Sequence, residues 1–567
     1  MTDYITNHYD LSENIARQMI VLDSFKDMAR TINNDVIPAS REDVVIAGIE
    51  NPASALSSTG SVYTTLPLRP VSKDVNFLYK NYIHCRFNLN FTLNTTSDSA
   101  GTTAANLTQP LNVAISTVST ACLPSRIQLL CGNSIVWQNQ FQRQESIAGF
   151  CSLPQEIVET SPEFMTCSKV LQKQSIPGAY FTLSTNPTNT GIHKLSFTLD
   201  TTIDLNHLTP LLSNIPFTTT ETGDLRLRLF FENLEESFLL TATPTDAPTG
   251  LSSTNFHVIS PQPMNKRFCI YQPTTQAIAT ASNTIAAGVT STAIYIKCSL
   301  DDWSAVDFGC EIVQSNFSIK ESSRDAIKNY IKSDNKIIIP SQTWSTALST
   351  NKPSSSSGEL VWQISAYNIY LLAFLFPYDS SWSCYYPTPP LTSIDIQLNS
   401  KSINYIPYKA IDSRVIKDTI QAFINDDRYG ANESLANSLK LPLASNGSGY
   451  DASTYLSWFN YNTCKYDVLN PNCFILSKGL SPPNSFEKGY CYASSNPQST
   501  QLRLKYQLQS GLETGANNTL NANQSLTSTN SGAYCLALQD CCLVLNYNPD
   551  INTAQSGSII YAEPSVE

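Results

Sequence analysis

The sequence predicts an all-β protein built from two tandem sandwich domains, and three observations point there. The first is a faint internal repeat. Ile127-Gln128-Leu129 through Ile135 recurs as Ile396-Gln397-Leu398 through Ile403, Phe197-Thr198-Leu199 as Phe474-Ile475-Leu476, and Leu225-Arg226-Leu227 as Leu502-Arg503-Leu504. The offsets are 269, 277 and 277 positions in unchanged order, far beyond a solenoid period, so they read as a domain duplication. The second is a hydrophobic period of two along many short segments. The third is how few segments carry a helical period, which disfavours a parallel α/β architecture with its alternating helices.

Residues 1 to 70 read as an N-terminal arm. Asp10 and Glu13 fit a capping box, and Ile15, Met19, Leu22, Phe25, Met28 and Ile32 follow at helical spacing. Pro38, Pro52, Ser54, Ser57, Ser58, Thr59 and Gly60 then give linker composition. The first domain, 71–322, opens with Cys85, Phe87, Leu89, Phe91 and Leu93 alternating with polar neighbours, a half-buried strand. Strands are expected at Val113–Val118, at a hairpin from Ile127 to Trp137 turning on Gly132-Asn133, at His193–Leu199, and at Leu225–Phe231. In the last, Leu225, Leu227 and Leu229 should point inward and Arg226 and Arg228 outward. The Thr-, Ala-, Pro- and Ser-rich stretch 241–290 reads as a long loop. Strands resume at Ile294–Cys298 and Cys310–Ile319, before a short helix capped by Ser323 at the domain boundary.

The second domain, 323–567, is expected to hold strands at Lys336–Ile339, Leu360–Phe376, Cys473–Leu476, Leu502–Leu508 and Tyr534–Leu545, with a hairpin at Ile394–Tyr405. The apolar run Ile369–Phe376 is too short to span a bilayer and reads as a buried strand. Helical segments follow both hairpins, at Gln138–Phe150 and from Asp412, where Ile416, Ile420, Phe423 and Ile424 share a face. A further helix is expected around Ser434–Leu441.

Composition narrows the function classes. Of 567 residues, 41% are hydrophobic, enough for sizeable cores, while only 14% are charged, against roughly 25% in an average soluble protein. Surfaces short of charge suit packing against further protein. The formal net charge of -11 argues against nucleic-acid binding, which needs clustered Lys and Arg. No secretory signal is expected from the opening residues, and the 15 cysteines show no disulfide framework, so reduced thiols are expected.

Reactive constellations are not evident. His8, His84, His193, His207 and His257 are too far apart in sequence for two to share a helix face, and there is no Cys-x-x-Cys, phosphate loop or nucleophile elbow. Cys541-Cys542 would point to opposite faces of a strand. The acid pairs Glu235-Glu236, Asp301-Asp302 and Asp426-Asp427 suit solvated turns better than a glycosidase cleft. The expectation is therefore no enzyme, no catalytic residues, no cofactor and no metal. Sequons at Asn94, Asn106, Asn316, Asn432, Asn446, Asn517 and Asn523 carry little weight in a chain so rich in Asn, Ser and Thr.

Several segments carry a family resemblance: the run Ile394-Asp395-Ile396-Gln397-Leu398-Asn399-Ser400-Lys401-Ser402-Ile403-Asn404-Tyr405-Ile406-Pro407 leading to the Asp412 segment, the strand Ser365–Phe376, and Asp204-Leu205-Asn206-His207-Leu208-Thr209-Pro210-Leu211 leading into Leu225-Arg226-Leu227-Arg228-Leu229. Over residues 75–560 the chain resembles the double jelly-roll major capsid proteins of eukaryotic DNA viruses, the group of virophages, polinton-like viruses and giant viruses. The resemblance implies two tandem jelly rolls, a homotrimer forming a pseudo-hexameric capsomer, and an icosahedral virion shell assembled in host cytoplasm or nucleus. It also implies neighbouring capsomers, penton and minor capsid proteins as partners, with an inner membrane compatible. The alternative from a different class is a viral spike or fibre, or a carbohydrate-binding adhesive β protein, which the aromatic content and polar loops would suit. A β-sandwich hydrolase ranks below both.

Overall fold

The computed structural model describes Ile32 and residues 34–51, 55–107, 110–117, 119–150, 161–164, 179–183, 191–213, 215–244, 262–265, 267–273, 291–325, 336–349, 357–364, 369–376, 391–403, 459–460, 465–466, 476–480, 500–508, 533–551 and 553–561. The expected arm helix through Met28, the Asp412 and Ser434–Leu441 helices, Asp426-Asp427, His8 and His257 lie outside these residues.

Sixteen strands form the framework. In the first half they are β1 (Glu42–Ala47), β2 (Tyr63–Pro67), β3 (Tyr82–Thr96), β4 (Arg126–Cys131), β5 (Ser134–Asn139), β6 (Ile192–Asp204), β7 (Leu225–Phe230) and β8 (Ser291–Phe317). In the second half they are β9 (Lys336–Ser349), β10 (Ser357–Ile364), β11 (Ile369–Leu375), β12 (Leu391–Leu398), β13 (Lys401–Ser402), β14 (Leu476–Gly479), β15 (Thr500–Leu508) and β16 (Ala533–Asn548).

The first half pairs these strands in the orders β1-β8-β3-β6 and β2-β7-β4-β5. The second half repeats both orders eight places on, as β9-β16-β11-β14 and β10-β15-β12-β13. All these pairings are antiparallel. In each half these eight strands make two four-strand paths, the chain crossing from one to the other, which is the jelly-roll form of the β-sandwich. Further strands widen the sheet of β3 to seven and that of β11 to five, and a third sheet of four strands belongs to the first half. The fold is all-β, with two jelly rolls in tandem.

The repeat seen in sequence lies at equivalent places. Leu227 and Leu229 face Leu129 and Ile127 in the first half, while Leu502 and Leu504 face Leu398 and Ile396 in the second. Relative to the repeat, the second pairing has slipped by two residues. An even slip keeps every side chain on its own face, so both cores survive it. The third repeat also holds at its described end: Leu199 lies opposite Phe87 and Leu476 opposite Phe374.

Some expectations are corrected. Within the stretch read as an arm, 42–47 and 63–67 are β1 and β2, each an edge strand of a first-half sheet; Pro and Ser flanking them masked short strands. The stretch read as one loop, 241–290, holds the end of a strand at Leu239–Pro244 and the strand Arg267–Pro273, which pairs along β8. Pro244 and Pro273 sit at strand ends, where the missing N–H costs little. Ile294–Cys298 and Cys310–Phe317 belong to one strand, β8, of 27 residues, interrupted by irregularities between Leu300 and Asp302 and between Ala305 and Cys310. Asp307 and Gly309 take up the left-handed φ values of 54° and 66° at the second of these. Leu360–Phe376 splits into β10 and β11, which lie in different sheets. Ser323 sits inside the helical turn 321–325 rather than capping it, its hydroxyl donating to Asp35 at 2.5 Å. The strand Thr553–Tyr561, which pairs with β16, was not foreseen because Thr, Gln, Ser and Gly hide its pattern.

The halves interlock. Ile337, Ile339, Leu543, Leu545, Tyr547 and Ala554 of the second half are buried in the first-half core cluster. In return Cys122, Ile147, Ala148, Phe164 and Leu239 of the first half join the second-half cluster. Ile147 and Ala148 lie on α1 (Gln142–Phe150), which follows the first hairpin as its sequence suggested.

Candidate assembly surfaces

The two equivalent central strands β3 and β11 define the surfaces that matter. In β3, Cys85, Phe87, Leu89, Phe91 and Leu93 are fully buried, and the alternate residues face outward. That outer face is laced into its neighbours. Thr198 Oγ1 donates to Asn88 Oδ1 at 2.7 Å, and Ser196 Oγ to Asn90 Oδ1 at 2.7 Å. Lys194 Nζ donates to Thr92 Oγ1 at 2.6 Å and Asp301 Oδ2 at 2.9 Å. Arg86 pairs with Asp200 at 3.4 Å and also with Asp307. His84 bridges Glu311 and Asp200, each at 2.8 Å. Burial works against charge on its ring, but the two carboxylates outweigh it and leave its pKa raised. The result is a polar wall across β8, β3 and β6, knitted by neutral hydrogen bonds and by ion pairs.

The matching strand of the second half is buried on both faces: Ile369 and every residue from Leu371 to Phe376 are at most 3% exposed. First-half residues, Ile147 and Ala148 of α1 among them, share the buried cluster that contains it. Phe141, before α1, sets its ring 5.8 Å from Tyr534 of β16, and Trp137 Nε1 donates to Thr343 Oγ1 of β9 at 3.2 Å. Glu145 of α1 is fully buried in this seam. Burial pushes its carboxyl well above the ordinary range, against the hydrogen bonds from Thr346 and Asn139. Arg143 anchors α1 to the first half through Cys122 O at 3.1 Å, Glu232 O at 2.7 Å and Glu236 at 2.9 Å.

The acid pairs among the described residues make contacts within the framework. Glu235 Oε1 accepts the Leu300 N–H at 2.9 Å, Glu236 takes Arg143, Asp301 takes Lys194, and Asp302 takes Asn90 at 2.5 Å. Cys541 is buried and Cys542 partly exposed, as alternation requires. Burial pushes the Cys131 thiol up to about 11 and the Cys298 thiol higher, the opposite of an activated nucleophile. The asparagine side chain of the Asn316 sequon is fully buried. Sequence reasoning missed one convergence, Glu163 with Asp204 and His207. Its only local signal is the Asp204-x-x-His207 spacing, since Glu163 is brought from elsewhere. Ile37, Val45, Val71 and Tyr79, all more than 40% exposed, lie on or beside elements that meet the end of β8.

No family model matches the sequence, and no curated protein matches it. Among solved structures, the chain is similar to the mavirus major capsid protein, at 9% identity over 93% of this chain and 92% of that one, with a TM-score of 0.44. It is also similar to a chain of the Sputnik virophage, at 11% identity over 94% and 90%, TM-score 0.44, and to the Faustovirus major capsid protein, at 9% identity over 90% of each, TM-score 0.39.

Proposed function

We propose that this chain is the major capsid protein of an icosahedral DNA virus, in which three copies close into a pseudo-hexameric tile. The observation that carries the reading is the exact reuse of one eight-strand topology by both halves. Two equivalent walls per chain make six per trimer, so a threefold object can occupy a sixfold lattice position. The seam within the chain supports the closure. There, α1 after the first hairpin meets β9 and β16 of the sheet that holds β11, while the outer face of β3 stays largely exposed. The second hairpin leads towards the Asp412 segment, expected from sequence to be helical. Laid on the β3 wall of the next copy, that segment would repeat the internal seam between chains, and a heterologous contact repeated three times closes a ring.

In this reading the division falls near residue 323, and the protein resides in the virion and acts through surfaces rather than a reactive centre. Its partners are neighbouring capsomers, with penton and minor capsid proteins at the lattice defects. Mass measurement and negative-stain imaging of the purified chain test the reading. Particles of three times the 62.5 kDa chain mass with a hexagonal outline are expected; a monomer at high concentration would overturn it.

A further inference from the structure

Glu163 is the least readily explained carboxyl group among the described residues. The short segment Ser161–Phe164 lays it against the end of β6, where its side chain is only 1% exposed. Oε2 lies 2.7 Å from Nδ1 of His207, which in turn lies 3.8 Å from Oδ2 of Asp204. One ligand atom from each of the three residues lies within 4.8 Å of the others. The second oxygen, Oε1, is buried and has no hydrogen-bond partner. Among the described residues no Lys or Arg pairs with Glu163, and its compensation comes from His207 and a backbone hydrogen bond at Asp204.

We propose that Glu163, Asp204 and His207 form a binding site for a divalent cation of the zinc type. One imidazole and two carboxylates are a donor set that zinc accepts, with a fourth position left for water. Tetrahedral ligands about 2.0–2.1 Å from zinc stand about 3.3 Å apart. The observed 2.7 and 3.8 Å separations bracket that value. Asp204, 49% exposed, gives the ion a route from solvent. On binding, the proton between Nδ1 and Oε2 passes to water and the nitrogen lone pair goes to the metal. The ion would fasten three pieces of chain together: the 161–164 segment, the end of β6, and the short helix Leu205–Leu208. Phe164, next to Glu163, packs in the inter-half seam with its ring 5.9 Å from that of His207, so the site would brace the seam from the first-half side. His84 also meets two carboxylates, but through opposite ring nitrogens, so its partners diverge. It is a built-in control.

The test is titration of the full chain, stripped with a chelator, with ZnCl2, read by calorimetry, by metal content after desalting and by thermal unfolding. One zinc per chain, proton release and a raised Tm are expected. Asp204→Asn and His207→Gln should each weaken binding by about tenfold or more, with His84→Gln leaving it unchanged. Glu163→Gln should abolish binding if it folds; because the half-exposed Asp204 can be changed without disturbing the core, the test does not depend on that variant. Failure to retain stoichiometric zinc, or affinity unchanged in both Asp204→Asn and His207→Gln, overturns the proposal. The trimer reading is unaffected by either result, since the measurement needs only the folded chain.

Discussion

β3 and β11 occupy the same slot in the same topology, each with a phenylalanine facing a leucine across the ladder, yet they live in different surroundings. The first presents one apolar face and one polar face; the second is apolar on both. Their primary structures say why. Tyr82–Thr96 alternates, whereas Ile369–Phe376 is an unbroken apolar run of the kind found in strands covered on both sides. Topology was therefore retained through face parity, while the outer face was free to diverge into an exposed wall in one half and an internal seam in the other.

The sharpest probe of this equivalence is a matched pair of truncations, Phe87→Ala and Phe374→Ala. Both rings are fully buried, so each loss should cost about 3–5 kcal/mol in denaturant unfolding. Because the cores interlock, both variants should lower a single shared transition. Two separate transitions, each sensitive to only one variant, would show the halves to be energetically independent.

The next largest effect is expected where the C-terminal strand crosses to the first half. Gly223 has φ +83°, and a Cβ built there would lie 2.2 Å from the Ala554 carbonyl oxygen. The Ala554 N–H donates to Glu221 O at 3.0 Å beside it. Gly223→Ala should cost about 2–3 kcal/mol, from a left-handed backbone plus the forced separation. Hydrogen exchange should rise selectively over Thr553–Tyr561; uniform exchange would place the loss elsewhere.

How far the sequence could be read follows from these same particulars. Strands with a clean period, β3 and β7, and the uninterrupted β11 were legible, and the duplication was legible because hairpin and partner strand repeat as a set. β1, β2 and Thr553–Tyr561 were not: they are short edge or crossing strands whose surroundings come from other parts of the chain, as Thr65 of β2 meets Glu50 and Gly557 lies beside Val136, which no local period encodes. The exposed wall was half legible. Alternation in β3 showed which side chains face out, but not that Asp301, Glu311 and Asp200 would arrive from two other strands to tie them. The Glu163 cluster was illegible for the same reason, being assembled across a gap of some forty residues.

The two hairpin turns sharpen the comparison at smaller scale. Gly132 takes φ +59° at no steric cost, whereas the second turn places Asn399 at +45° and Ser400 at +68°. Asn399 offsets this by accepting the Gln501 N–H on its side chain at 2.9 Å and donating its own N–H to Gln501 O at 2.8 Å. Ser400 has no comparable local reason to be left-handed. Ser400→Gly should stabilise by about 0.5–1 kcal/mol and Gly132→Ala should destabilise by about 1 kcal/mol, read as opposite shifts in Tm.

The smallest expected effect distinguishes the walls by pH. His84 lies on the exposed β3 wall, and the counterpart of that position relative to the Phe87 and Phe374 pair is Leu371, which cannot titrate. The folded-state pKa of His84 is raised above its unfolded value. Its contribution is therefore fully present below the unfolded pKa, near 6.5, and is lost as pH rises through the folded value. The side chain is about one-third exposed, so solvent screening holds the contribution below about 1 kcal/mol. Stability of the wild-type chain measured from pH 6 to pH 9 should show this decline, and His84→Gln should flatten that part of the profile. An unaltered slope in the variant would mean that the Glu311 and Asp200 contacts hold a neutral ring, and that the β3 wall is as indifferent to pH as the buried seam it mirrors.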